Sequence, residues 1–315
     1  LLEVLLFRLY NREQLFINQD KFMAIDSTPT RTQRIIELSQ YQDTQDRLPY
    51  WARSTNPIVR RHLGLYWRTV PPEIEPFTTI MAVWTVVMVS GIIFPGLFSI
   101  VMISFLAAIM VLPFTLFYYG YTLVNIAIEA ARNMQQEFAN DTFELLQATP
   151  MSLIQIFLGK VAAAMWRRMD DLIMIAQLIF AFCPPVLFTL YAPLGTGDGY
   201  GGFLPPLLAL LGMLVAAFRV FAEPLMIGVI AVFIGIVVPG RGRSITSAVV
   251  LGAFYFLLLN LLSYLPNVRG LDTGRDFIPP NIILIMITDF VLPVLLPILI
   301  ILGLLKLSAY LVTRD

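Results

Sequence analysis

DTFELLQATPMSLIQIFLGK, residues 141–160, carries two helix-start signals in quick succession between long apolar runs. Asp141 can cap a helix whose third position is Glu144, and Ser152 can cap a second whose third position is Gln155. Thr149 precedes Pro150, which steers Thr149 away from the helical conformation and closes the first helix. A helix, a sharp break and a second helix are written into the stretch, which is more than a plain connector between two spans requires. Phe138, Thr142, Leu145, Leu146 and Thr149 recur at helical spacing and predict an apolar docking stripe.

Outward from this stretch the chain is a membrane protein. Of its 315 residues 58% are hydrophobic and only 13% charged, half the charged fraction of about 25% usual in soluble domains. Its mean hydropathy is +0.77. The apolar runs are continuous and rich in Leu, Ile and Val, so they predict membrane helices and not the alternating strands of a barrel. The expected fold is all-α and polytopic, with about six transmembrane helices at 78–94, 97–128, 172–190, 203–238, 245–265 and 281–305. The fourth is expected to be broken, with 203–221 re-entrant, interfacial or a broken extension. Residues 1–55 form a polar N-terminal segment and 56–315 the transmembrane domain. Asn56 to Pro72 reads as an interfacial helix, anchored by Arg60, Arg61 and Arg68.

Charge placement sets the expected orientation. Ten of the 21 Lys and Arg residues fall in 1–77, and Arg132, Lys160, Arg167, Arg168, Arg241 and Arg243 lie in the other polar turns. The positive-inside rule then places the N-terminus, residues 129–171 and the basic turn at 239–243 in the cytoplasm, and six crossings return the C-terminus there; a prokaryotic plasma membrane is the expected location. Alternation holds only if 203–238 crosses once. Leu1 is no initiator, and LLEVLLFRLYNRE lacks a signal-peptide cleavage pattern, so the chain reads as starting partway through a longer or processed protein.

The inventory of reactive groups is short. Cys183 and His62 are the only residues of their kinds, which leaves no thiolate cluster, zinc site or bis-histidine haem to build within one chain. No cofactor or metal is expected, and a formal net charge of zero gives no electrostatic argument for nucleic acid. A solvated or headgroup-facing His62 is favoured over a ligand of haem or chlorin. Tyr118, Tyr119 and Tyr121 read as an aromatic belt. Polar groups at membrane depth are Arg219, Glu223, Asn260 and Asp289. Arg219 and Glu223 share a helix face and can neutralise one another; they either line a translocation path or snorkel at an interface. Asn260 reads as a bridge between helices, while Asp289 reads equally as bridge or path.

TFELLQATPMSLIQIFLGK resembles the segment after the second span of type-2 ABC transporter permeases, through Thr142, Glu144, Leu145, Leu146, Thr149, Pro150, Gly159 and Lys160. NPIVRR (56–61) resembles the start of that family's elbow helix, and GIVVPGRGRSITSAVV (235–250) its basic turn between the fourth and fifth spans. The resemblance implies that 137–151, with Asp141, Thr142, Glu144, Leu145, Leu146, Thr149 and Pro150, is a cytoplasmic coupling helix that docks on a separate ABC ATPase. It also implies a second permease copy or paralogue as partner. The chain departs from the family by placing Asp141 where glycine is usual and His62 where an acid is usual. It has no G-x-x-x-x-G-K-S/T, so ATP and its magnesium would sit on the partner and the chain itself would be no enzyme.

Two functions therefore stand. The chain is the permease subunit of an ABC-type exporter, or it is a non-catalytic accessory subunit of a larger energy-transducing membrane complex built on the same fold.

Overall fold

The structure, a computed structural model, describes residues 48–53, 55–63, 75–93, 98–192, 204–262 and 286–314. Among these residues there is no strand. Nine α-helices follow in order: α1 Pro57–Leu63, α2 Glu75–Ile93, α3 Phe98–Ala139, α4 Phe143–Gln147, α5 Leu153–Trp166, α6 Met169–Tyr191, α7 Leu204–Val237, α8 Arg241–Leu262 and α9 Leu292–Arg314. A π-helical turn, Met286–Val291, leads into α9.

Among the described residues four stretches are long and apolar enough to cross a membrane: Ser104–Ala139, Met169–Tyr191, Leu204–Val237 and Met286–Thr313. α7 is the central one, because 72% of its apolar window is buried in protein against 22% to 33% for the other three. The expected break in residues 203–238 is absent: Pro224 lies inside one continuous helix. Proline removes one N–H from the ladder, and the packing around α7 on all sides holds the helix through it. Helix α6 likewise runs through Pro184 and Pro185.

The second apolar run extends further than its hydropathy indicates. α3 continues to Ala139 because its apolar residues change from an all-round pattern to a one-sided one, with Ala127, Ala130, Ala131 and Met134 buried. Its 42 residues make a rod of about 63 Å at 1.5 Å per residue, twice the ~30 Å of a hydrocarbon core. Its end is joined to α7 by Gln135, whose Nε2 donates to the carbonyls of Gly235 at 2.6 Å and Val238 at 3.0 Å. Those acceptors are C-terminal carbonyls that the helix itself leaves unsatisfied.

At the chain's described start, Asn56 Oδ1 accepts from the Ile58 backbone N–H at 2.9 Å and Pro57 opens α1, the expected chemistry of a helix start. Ile58 and Val59 are buried against the bundle while Arg60 and Arg61 are exposed; 64–72 fall outside the described residues. The compact unit that holds the described residues begins at Leu48. Trp166 Nε1 donates to Ala52 O at 2.9 Å, and Leu48 and Trp51 pack with Val59, Ala162 and Trp166.

Candidate functional site

Two polar assemblies stand out along α3. The first lies inside the apolar bundle. Arg219, near the middle of α7, donates from Nε to Glu223 Oε1 at 2.6 Å, and Tyr119 on α3 donates its hydroxyl to Glu223 Oε2 at 2.8 Å. Helical spacing brings the first pair together, while the second joins residues 104 apart in sequence. Glu223 is 2% exposed and Arg219 25%. Asp289 sits on the π-helical turn and accepts from Tyr191 Oη at 3.0 Å; such turns widen a helix locally and recur at functional sites. The two arrangements share one cavity of about 270 Å³, whose walls include Tyr119, Cys183, Leu187, Arg219, Glu223 and Asp289.

Three of the four intramembrane polar residues singled out in the sequence thus meet at one cavity. The side chain of the fourth, Asn260 near the end of α8, lies outside what the structure describes. The tyrosines do not form a belt. Tyr119 is buried on Glu223 and Tyr118 donates to Asp171 Oδ1 at 2.7 Å, while Tyr121 alone of the three is turned outward.

The second assembly lies at the far end of α3. Glu137 and Lys160 are both buried, with Lys160 Nζ 3.0 Å from Glu137 Oε1. Thr142 Oγ1 donates to Glu137 Oε2, and Arg61 Nη2 stands 3.4 Å from the same oxygen. His62 Nε2 is 3.4 Å from Lys160 Nζ and 3.4 Å from Glu137 Oε1. Burial, and then the neighbouring Lys160 charge, push the His62 imidazole down to about 4, so it is neutral at pH 7. Burial lowers the Lys160 ammonium to about 8 against the opposing pull of Glu137, so it remains charged at pH 7. His62 is therefore a largely buried, neutral partner in an ion network and not a freely solvated side chain.

This network anchors the 141–160 stretch. The second predicted start is present in full: Ser152 Oγ accepts from Gln155 N and the Gln155 side chain accepts from Ser152 N, each at 3.3 Å. The first differs. Asp141 does not cap α4; Thr142 is the N-cap residue and makes no side-chain capping bond, because its hydroxyl is committed to Glu137. Asp141 instead carries the reversal after α3 with φ of 50°. That is the left-handed region, which glycine enters freely and aspartate tolerates, and it accounts physically for a glycine being usual at this place in the resembled family. Asp141→Gly is expected to be neutral within about 0.5 kcal/mol, while Asp141→Val costs at least about 1 kcal/mol, read as thermal midpoints of the detergent-solubilised protein.

The predicted apolar stripe is also rearranged. The reversal at 140–142 puts Phe138 on α3 and Leu145 and Leu146 on α4, so they do not share one helix face. Sequence reasoning missed Phe143. It is buried, stacks on Phe157 at 6.5 Å between ring centroids and meets Phe138 at 5.0 Å. α4 is pinned to the bundle by this ring, while Leu145 projects outward, 70% exposed. Glu144 and Pro150 are exposed as well.

Among the described residues no group of three or more His, Cys, Asp or Glu side chains is placed to hold a metal ion. No family model, no curated protein and no solved structure matches the chain. The class rests on the helices themselves: this is an α-helical, membrane-embedded protein with several apolar helices of spanning length.

Proposed function

We propose that the chain is the permease subunit of an ABC-type exporter, driven by a separate ATPase that docks on the 137–151 coupling segment. The observation that carries this reading is that one continuous helix serves both assemblies. α3 presents Tyr119 to the polar cavity and, eighteen residues further on, Glu137 and Phe138 to the base of α4. A rod that is pinned at both ends transmits displacement of the exposed turn to the cavity wall. In this reading six segments cross the membrane: α2, α3, α6, α7, α8, and the π turn with α9. α1 serves as the elbow, α4 as the coupling helix, and both termini lie in the cytoplasm of a prokaryotic plasma membrane. Two copies of the permease, or the chain and a paralogue, supply the pair of docking sites that two ATPase subunits need.

The cavity supplies a reporter that needs no knowledge of the substrate. Cys183 is the single cysteine of the chain and lies in the cavity wall. In native membranes, the rate at which N-ethylmaleimide modifies Cys183 is expected to change at least threefold between nucleotide-free and ATP–vanadate conditions. Leu145→Glu, on an exposed position, is expected to abolish that dependence and the co-purification of an ATPase subunit while leaving the thermal midpoint unchanged. A labelling rate indifferent to nucleotide, together with extraction in mild detergent that recovers pigment-, haem- or quinone-bearing subunits and no ATPase, would instead make the chain an accessory subunit on a permease-like fold.

A further inference from the structure

The ion network at the end of α3 opens into a cleft of about 370 Å³. Arg61 and His62 from α1, Arg132, Asn133 and Glu137 from α3, and Arg167 from the turn between α5 and α6 form its walls. Five cations at this end, Arg61, Arg132, Arg167, Arg168 and Lys160, are set against the carboxylates of Glu129, Glu137 and Asp171. Glu137 is occupied by Lys160, Thr142 and Arg61. Arg167 spends one nitrogen on Glu129 at 3.5 Å and one on His62 O at 2.5 Å, leaving other donors of its guanidinium unused. Arg132 is exposed and forms no ion pair among the described residues. Two positive charges are left uncompensated.

A second observation is independent of charge. Asn133 is only 3% exposed, yet its Nδ2 has no hydrogen-bond acceptor. A buried amide donor left unpaired is destabilising, and such a group in a native structure calls for an acceptor that binds there. A small oxyanion resting among these guanidinium groups would supply it.

We propose that this cleft binds a phosphate group carrying two negative charges, held by Arg61, Arg132, Arg167 and the Asn133 amide. Guanidinium forks match the geometry of phosphate oxygens and give charge-assisted bonds roughly twice as strong as neutral ones. Depth supports the same ligand. Arg219 lies at the middle of α7, and Asn133 is fourteen residues along α3 from the Tyr119 that shares Glu223 with it. Fourteen residues span about 21 Å, while half the hydrocarbon thickness is about 15 Å. The cleft therefore sits at the level of lipid headgroups, where the phosphate of a phosphomonoester lipid and free phosphate are both within reach.

The full chain in mild detergent is heated with inorganic phosphate, with dihexanoyl phosphatidic acid, or with dihexanoyl phosphatidylcholine, at constant ionic strength. The expected result is a rise in thermal midpoint of about 3 °C or more with at least one of the first two, at ten times its dissociation constant, and none with the third. A shift with phosphatidic acid alone identifies a lipid headgroup as the source; a shift with both identifies phosphate itself. Arg132→Gln, exposed and without an ion pair, is expected to keep the baseline midpoint and lose the shift, and Asn133→Leu to reduce it. No shift beyond that of phosphatidylcholine, or an undiminished shift in Arg132→Gln, overturns the proposal. The measurement involves neither ATPase nor transport, so its outcome is separate from that of the permease reading.

Discussion

Glu137→Leu is expected to lower the thermal midpoint of the detergent-solubilised protein by on the order of 10 °C, the largest loss of any single substitution at the end of α3. Lys160 is fully buried, and Glu137 is its one carboxylate partner among the described residues. With Glu137 gone, the ammonium keeps among those residues His62 Nε2 at 3.4 Å and Asn133 O at 3.5 Å, neither of them charged at pH 7. Breaking a buried pair in this way costs roughly 3–5 kcal/mol, and each kcal/mol moves the midpoint by about 2–4 °C in a domain of this size. Lys160→Met is expected to cost less, because Glu137 keeps Thr142 and the half-exposed Arg61. The double variant Glu137→Leu with Lys160→Met is expected to return to within about 2 kcal/mol of the parent, since two apolar side chains of similar volume replace two mutually compensating charges. Additive losses in the double variant would show that the two residues do not act as a pair.

This pair also marks the limit of what the sequence discloses. Ser152 with Gln155, and Arg219 with Glu223, were legible because their partners lie three and four residues apart on one helix, where spacing alone decides contact. Glu137 and Lys160 were visible as residues, but they meet only because α3 and α5 run side by side after the reversal at 140–142. Hydrophobic periodicity reports which face of a helix is apolar, not which helix lies against it. The same limit hid the reach of Tyr119 to Glu223 and the π-helical placing of Asp289. Hydropathy ended the second span near 128, since charged residues follow; Glu129 and Arg132 lie toward one face, the other face stays buried through Met134, and Glu137 is buried in its ion network. Phe143 escaped notice because one aromatic ring in a five-residue helix has no period to announce it.

The charged pair in the membrane is expected to respond asymmetrically. Arg219→Leu leaves Glu223, 2% exposed, with the Tyr119 hydroxyl as its remaining partner among the described residues, in an apolar bundle. Glu223→Leu leaves Arg219, 25% exposed toward the cavity, on a long side chain that can move its charge toward water. The first substitution is therefore expected to cost roughly 3–5 kcal/mol and the second roughly half as much. A double Arg219→Leu, Glu223→Leu variant is expected to recover most of the loss while removing every charge that α7 contributes to the cavity. That separation matters for the permease reading. If the pair serves only to hold helices together, the double variant behaves as the parent in all respects. If it lines a translocation path, the double variant folds with a near-parental midpoint but loses the nucleotide-dependent labelling of Cys183, because the polar cavity no longer admits water when α3 moves. Thermal unfolding and maleimide labelling of the same four proteins distinguish the two, and parental labelling in the double variant would remove Arg219 and Glu223 from any transport path.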